Sequence, residues 1–283
     1  MTEPAVLTGL ASLAGRYDAA LLDVWGVLHD GVKPTLGALD CLARLRAAGW
    51  RLVLLSNAPR SASSTRTQIA GFGIPPASYD DVVTSGELTR AALAQRVDPW
   101  HAALGRRFYH LGPARDWGLL DGLDYQRVQE VAGSDFILNT GLFDDDTETA
   151  ETYAPFLQTA RQHAIPMICA NPDISVMRGS RSIPCAGAIA VAYQAIGGNV
   201  CFHGKPHAGA YAACFRLLDG VPPRRILAVG DSLVTDIRGA VGAGIDSVFV
   251  MDGIHVSEIK GNPTAAYART GITPTAAIPT FRW

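Results

Sequence analysis

The sequence predicts an α/β protein with a parallel sheet, into which a second α/β block is inserted. Three observations support this prediction: short apolar or β-branched runs alternate with helical patterns, polar residues follow several of these runs, and the middle of the chain has strands of its own. Strands that alternate with helices indicate a parallel sheet covered on both faces. A chain of 283 residues with 48% hydrophobic content can form one large α/β domain or two unequal ones.

The first part of the chain predicts two strand–helix units. A strand is expected over 18–25 and a helix over 36–48, where apolar residues have helical spacing and Gly49 ends the pattern. A second strand follows at 51–56, and a second helix begins at 61 and ends near 71, before the turn-forming sequence GFGIPP. Both units fit a parallel sheet.

The last part of the chain repeats this order. Strands are expected at 199–204, 225–231 and 246–251, with helices at about 207–219 and 235–243 between them. These elements extend the parallel sheet of the first part.

The block between the two parts predicts a separate small core. Its own elements are strands at 107–112, 135–140 and 165–171 and a helix at about 147–163, whereas the helical segment 186–196 is assigned to the main domain. We therefore expect a discontinuous main domain, residues 1–81 and 184–283, and an inserted domain, residues 82–183.

Composition excludes several classes of function. The net charge of −2 and the pI of about 6.4 provide no clustered positive charge for binding nucleic acid. No segment approaches the roughly 20 apolar residues of a membrane span, and the first 15 residues predict a short helix rather than a signal peptide. The five cysteines are widely spaced and contain no C-x-x-C, which predicts reduced thiols and a cytoplasmic protein.

Polar residues stand at the carboxyl ends of four predicted strands, where parallel sheets bind ligands. They are Asp23 in LLDVWGVL, Ser56 in LLSNA, Lys205 in HGKPH, and Asp231 with Asp236 in VGDSLVTDIRGA. In isolation each has a simpler interpretation: Asp23 as a turn cap, Ser56 as a turn residue, Lys205 as a solvated lysine and Asp231 as a helix cap. The order and spacing of all four favour a shared site.

This set resembles the four motifs of the haloacid dehalogenase-like (HAD) phosphohydrolases. GKP, GDSLVTDIRGAVGAGIDSVFV and ANPD further resemble the NagD-like subfamily IIA. The resemblance implies a Rossmann-like parallel-sheet core with an inserted α/β cap domain. It also implies Mg²⁺-dependent hydrolysis of a small phosphorylated metabolite through an aspartyl-phosphate.

The resemblance implies a role for each acidic residue. Asp23 would be the nucleophile, and Mg²⁺ would be bound by Asp23, Asp231 and the main-chain carbonyl of Trp25. Asp236 would orient the water shell of the metal or Lys205, and so belongs to the same metal site. Because a phosphoryl group is a dense anion, a carboxylate approaches it only where cations neutralise the charge.

The substrate would be held by residues of both domains. Ser56 and Asn57 would donate to the phosphoryl oxygens, and Lys205 would neutralise charge in the transition state. In the loop NPDISVMRGSR, Asn171 and Asp173 are candidate substrate contacts, with Arg178 or Arg181 as further candidates. A plain polar loop is the alternative for this segment.

Trp25 departs from the family, which places a general acid–base aspartate at this position. Three interpretations remain open: the substrate has a good leaving group, another group supplies the proton, or the site binds a phosphoester without turnover. His29, Asp30 and Asp173 are candidates for the second interpretation, although a solvated surface role is favoured for His29. A phosphotransferase is a further alternative.

Two other segments carry expectations. In FDDDTETAET, Asp145 and Glu148 are expected to form a capping box for the next helix rather than a second metal site. The C-terminal PTFRW could pack against the core or against a partner. A homodimer is possible, whereas nucleic-acid and membrane partners are not expected.

Overall fold

The computed structural model describes residues 3–179, 181–254, 259 and 261–283. The strands within these residues are, in chain order, β1 (Ala5–Val6), β2 (Ala19–Leu22), β3 (Arg51–Ser56), β4 (Asp81–Thr84), β5 (Arg107–Leu111), β6 (Gln126–Val128), β7 (Phe136–Asn139), β8 (Met167–Cys169), β9 (Ser175–Arg178), β10 (Arg181–Pro184), β11 (Val200–Phe202), β12 (Ile226–Gly230), β13 (Asp246–Val250) and β14 (Ala276–Ile278). The α-helices are α1 (Ala38–Ala47), α2 (Ala62–Gly71), α3 (Ser85–Gln95), α4 (Pro99–Ala102), α5 (Ala154–Gln162), α6 (Ala186–Ala195), α7 (Ala208–Leu217), α8 (Arg238–Gly242) and α9 (Pro263–Thr270).

The larger sheet has seven parallel strands in the order β1-β14-β13-β12-β2-β3-β4. Successive side chains of a strand point to opposite faces. Accordingly, Ala20 and Leu22 of β2 pack in one apolar cluster, while Ala19 and Leu21 pack in the cluster on the other face. This two-sided burial explains why the strands read as nearly continuous apolar runs, as the parallel sheet predicted from the sequence requires.

The smaller sheet has five parallel strands in the order β11-β8-β7-β5-β6, and β9 and β10 form a separate antiparallel hairpin. The assignment of the predicted strand 199–204 to the main domain is wrong, because β11 pairs with β8. The same holds for the predicted helix 186–196, because Ile189 and Tyr193 of α6 pack in the core of the smaller sheet. An apolar helix fits either core, so its pattern alone did not reveal its place.

Strand pairing also bears on the limits of the inserted domain. β4 pairs with β3 in the larger sheet, and the chain leaves the smaller sheet only after β11. The expected limits therefore move from 82 and 183 to about 85 and 203.

The two chain ends pack together on the larger sheet. The expected N-terminal helix is instead β1, which pairs with β14, followed by a 3-10 turn at Leu10–Leu13. Phe281 of the C-terminal segment is fully buried in the main core, and a side chain at Gly9 would collide with the backbone of Trp283. The C-terminal segment thus packs against the core.

The helix expected at 147–163 begins later and is capped differently. A 3-10 turn at Ala150–Tyr153 leads into α5, and Thr149 forms the capping box with Thr152. The capping box expected for Asp145 and Glu148 is therefore wrong. A threonine hydroxyl can also accept from the first N–H groups of a helix, so the acidic run did not identify the cap.

No helix among the described residues has both the length and the apolar character needed to cross a bilayer.

Candidate active site

Two neighbouring strands bring the first carboxylates together. Leu22 of β2 is paired with Val229 of β12, so Asp23 and Asp231 follow their strands at the same edge of the sheet. Asp236 comes from the single π-helical turn Leu233–Ile237 that follows. One carboxylate oxygen from each of the three residues lies within 4.8 Å of the others, and all three residues are buried.

Lys205 completes this cluster. Its Nζ donates to Asp23 Oδ1 at 2.6 Å and to Asp236 Oδ1 at 2.7 Å, and the residue is 3% exposed. Burial alone would lower the pKa of Lys205, but the carboxylates of Asp23, Asp236 and Asp173 raise it well above its ordinary value. Burial and then Asp236 raise the pKa of Asp23 above its ordinary value, although Lys205 acts in the opposite direction.

Two glycines close around Asp231. A Cβ on Gly26, whose φ is +99°, or on Gly253 would collide with the Asp231 carboxylate. The carboxylate of Asp236 is held in place by the backbone, because its Oδ2 accepts the Ser232 N–H at 3.1 Å. Three clustered carboxylates form a set of hard oxygen donors, which is the chemistry that Mg²⁺ prefers. These acids therefore fit the expected cation.

Ser56 is the last residue of β3, which pairs with β2, and Asn57 follows it. A pocket lies over this cluster and is lined by Asp23, Lys205 and Asp236, among others. Ser56 also lines this pocket, and its Oγ accepts the Ala58 N–H at 3.2 Å. The Asn57 amide is occupied differently from the role expected for it. Its Nδ2 donates to Asp173 Oδ1 at 2.7 Å and to the Lys205 carbonyl at 3.1 Å, and its Oδ1 accepts the Lys205 N–H at 2.7 Å. Asn57 thus ties the end of β3 to the segment that carries Lys205.

Trp25 lies two residues after Asp23 and reaches the β9–β10 hairpin. Its Nε1 donates to the Met177 carbonyl on β9 at 2.8 Å, and its ring contacts His29 with a centroid distance of 5.3 Å. The indole lines the same pocket as Asp23. Trp25 therefore connects the end of β2 to the β9–β10 hairpin across the pocket, at the position where the family places a carboxylate.

The solvated role favoured for His29 is wrong. The residue is 1% exposed, its ring stacks on Phe72, and its Nδ1 accepts the Gly31 N–H at 3.0 Å. Burial lowers the pKa of His29 to about 4, so the ring is neutral at pH 7. Asp30 instead holds a turn, because its Oδ1 accepts the N–H groups of the two residues Val32 and Lys33.

The cap loop that was expected to contact substrate contains a hydrogen bond between two of its own residues. Asn171 Oδ1 accepts the Asp173 N–H at 3.1 Å, and both residues line the pocket. Arg178 also lines the pocket, whereas Arg181 pairs with Asp146 at 3.0 Å.

A charged group in the pocket was not recognised from the sequence, apart from Arg178, which was a candidate substrate contact. It consists of Arg60, Arg115, Asp116, Asp145 and Arg178. Asp145 pairs with both Arg115 and Arg178, and Arg60 Nε lies 3.6 Å from Asp116 Oδ1. Burial raises the pKa of Asp116 to about 6, although Arg60 lowers it. Their position in the sequence could have indicated this group, because Arg60 and Asp116 each follow the end of a strand by a few residues.

Comparisons with known proteins agree with this geometry. A family model described as haloacid dehalogenase-like hydrolase matches residues 20–126, and a HAD-hydrolase-like model matches residues 202–277. The solved structure of a haloacid dehalogenase-like hydrolase from Brucella suis 1330 is 37% identical, covers 98% of this chain and 100% of its own, and superposes with a TM-score of 0.87.

Curated relatives include the D-glycerol 3-phosphate phosphatase of Mycobacterium tuberculosis, 28% identical over 87% of this chain and 66% of that protein. The ribonucleotide monophosphatase NagD of Escherichia coli K12 is 25% identical over 83% of this chain and 87% of its own. The resemblance to the NagD-like branch is confirmed. With two family models matched in order and a relative aligned over its whole length, the chain belongs to the haloacid dehalogenase-like hydrolases.

Proposed function

We propose that this protein is a phosphatase that hydrolyses a small phosphate monoester through an aspartyl-phosphate on Asp23. The observation that carries the proposal is the buried Lys205 ammonium, which contacts both Asp23 and Asp236 beside Asp231. A buried cation among carboxylates provides the charge balance that an anionic nucleophile needs to meet an anionic phosphoryl group. Relatives named as phosphatases support this reaction class.

Mg²⁺ is the proposed cofactor, held by Asp23, Asp231 and the Trp25 main-chain carbonyl, with Asp236 behind them. When bound, the cation supplies positive charge at the phosphoryl oxygens. The donor set supports this assignment. A solved glycerol phosphate phosphatase of M. tuberculosis is in complex with magnesium; it is 24% identical to this chain, covers 94% of it and 75% of its own length, and has a TM-score of 0.68.

The residues of this chain have separate tasks in the proposed reaction. An Asp23 carboxylate oxygen attacks phosphorus, the bond from phosphorus to the ester oxygen breaks, and the leaving oxygen departs as an alkoxide or aryloxide that takes its proton from water. Water then attacks the phosphorus of the aspartyl-phosphate, which releases inorganic phosphate and restores the carboxylate. Lys205 and Ser56 contact the phosphoryl oxygens, and Asn57 positions Lys205 through its backbone.

The proposed site lacks a proton donor at Trp25 for the leaving oxygen of the ester. An indole at Trp25 cannot deliver a proton to it, and a positioned general acid typically contributes about 10²–10⁴ in rate. We therefore propose slow turnover of alkyl phosphates and faster turnover of aryl phosphates, whose leaving groups need no proton.

The part of the substrate beyond the phosphate would lie against the cap. Arg60, Arg115 and Arg178 line this part of the pocket together with two aspartates. Guanidinium and carboxylate groups recognise hydroxyl and anionic groups rather than hydrocarbon. A small, polar phosphate monoester is the substrate class that this lining favours.

The test is phosphate release from a panel of alkyl and aryl esters, with and without Mg²⁺. Wild type should release phosphate only with the cation, Asp23→Asn should lose the activity, and the exposed control Asp219→Asn should keep it. If wild type and Asp23→Asn are equal on every ester, the site binds phosphoesters without turnover. If an added alcohol raises the rate at which the ester releases its own alcohol or phenol while less inorganic phosphate forms, the phosphoryl group passes to the added alcohol and the protein is a phosphotransferase.

A further inference from the structure

A second cluster of metal-binding side chains lies away from the carboxylates. His101 Nε2 is 3.0 Å from His203 Nε2 and 4.0 Å from Cys201 Sγ, and one ligand atom from each residue lies within 4.8 Å of the other two. His101 is buried, and the other two residues are half-buried. The donors are two imidazoles and a thiol.

The local sequence places these donors together. Cys201 lies on β11, and His203 continues the ladder because its N–H donates to the Cys169 carbonyl at 3.0 Å. Residues two apart on a strand point to the same side, so Cys201 and His203 face one direction. Helix α4 brings His101 to that side.

Asp98 prepares His101 for a metal. The carboxylate accepts twice from this residue, from the backbone N–H at 3.0 Å as the cap of α4 and from Nδ1 at 2.7 Å. Because an ionised carboxylate only accepts, the ring proton is on Nδ1 and Nε2 presents a lone pair to the cluster. A carboxylate behind a histidine in this way is a common feature of protein metal sites.

We propose that His101, Cys201 and His203 form a zinc site with an open fourth position. A tetrahedral zinc with bonds of about 2.0–2.1 Å to nitrogen and about 2.3 Å to sulfur separates two nitrogens by about 3.3 Å, and a nitrogen from a sulfur by about 3.6 Å. The observed 3.0 and 4.0 Å differ from these values by a few tenths of an ångström. Thiolate and imidazole ligands favour zinc over Mg²⁺, whereas carboxylates favour Mg²⁺, so the two sites should bind different metals.

The site lies at the passage from one sheet to the other. His203 is two residues before Lys205, and its carbonyl accepts a hydrogen bond from the Ser85 hydroxyl at the start of α3. A bound ion would therefore join α4 to the end of β11 where the chain turns toward Lys205. The metal-free alternative is a single hydrogen bond between the two imidazoles.

The test is a Co²⁺ titration of the chelator-treated full chain in excess Mg²⁺. One equivalent of Co²⁺ should produce thiolate-to-cobalt absorption in the near ultraviolet, and zinc should abolish it. Cys201→Ser should lose the band, and Cys41→Ala, which changes a remote buried thiol, should keep it. Absence of the band from wild type, or its persistence in Cys201→Ser, overturns the proposal.

A second variant measures the part played by Asp98. Asparagine caps helices as well as aspartate, so Asp98→Asn should leave the fold intact. Chelator competition should show a zinc affinity lowered about 10-fold, because loss of such a partner typically costs 10–100-fold. An unchanged affinity contradicts the proposed positioning of His101.

Discussion

At the scale of single residues, the buried ammonium of Lys205 allows two carboxylates to lie close together. An unpaired buried charge is costly, and Lys205 offsets that cost for Asp23 and Asp236 at once. These three residues were predicted from the sequence because each lies within a recognisable motif. The buried state of His29 was not predictable, because it depends on Phe72 from a different element.

Replacing Trp25 tests the missing proton donor. Trp25→Asp should raise kcat for an alkyl phosphate by about 10²-fold and change an aryl phosphate much less, because only the alkoxide needs a proton. Trp25→Phe is the matched control, since it removes the Nε1 bond to Met177 without adding a carboxylate. Equal changes for both esters, or the same change in Trp25→Phe, would count against a missing acid.

His29 makes stability depend on pH. With a folded pKa of about 4, below the ordinary 6.5, its contribution is present above pH 6.5 and is lost as the pH falls toward 4. At about pH 5 this amounts to about 2 kcal/mol in the free energy of unfolding, and His29→Gln should lack that part of the decline. Urea unfolding at about pH 7.5 and pH 5 measures it, and identical declines in both proteins would refute the assignment.

At the scale of elements, the order of strands assembles the site. β2 lies between β3 and β12, so residues far apart in sequence end their strands at one edge. The strand–helix order and this edge were predictable from apolar periodicity and from polar residues at strand ends. The place of α6 and β11 was not, because apolar patterns identify elements but not the sheet that they join.

Gly26 tests the close packing around Asp231, one of the proposed metal ligands. Gly26→Ala combines a positive φ with a collision against Asp231, and we expect Mg²⁺ to activate it at least about 10-fold less well. Gly15→Ala is the matched control, because Gly15 has a φ of +79° but open space around it. The hydrolysis rate of each variant is measured as a function of Mg²⁺ concentration. Equal effects of the two substitutions would assign the defect to backbone strain alone.

At the scale of the whole molecule, the pocket is bounded by contacts between the larger sheet and the cap. Trp25 bonds to Met177, and Asn57 bonds to Asp173. The family resemblance predicted a cap over the site, but the individual contacts depend on long-range packing. For the same reason the charged group around Asp116 was not recognised in the sequence.

Removing one of these contacts should weaken the packing of the cap against the larger sheet. Asp173→Ala deletes the acceptor of the Asn57 amide, and a hydrogen bond to a charged group contributes about 1.5–3 kcal/mol. We expect KM for an aryl phosphate to rise about 10-fold with a smaller change in kcat. The exposed neighbour Ile174→Ala should behave like wild type; an unchanged KM in Asp173→Ala would exclude this contact from substrate binding.

Trapping the covalent intermediate tests the assignment of Asp23 most directly. Borohydride reduces an acyl phosphate to an alcohol, which converts a phosphorylated aspartate into homoserine. When the enzyme is quenched during turnover with Mg²⁺ and reduced, we predict homoserine at position 23 by peptide mass spectrometry, and none without substrate. Phosphate release with unmodified Asp23, or homoserine at another aspartate, would contradict the proposed mechanism.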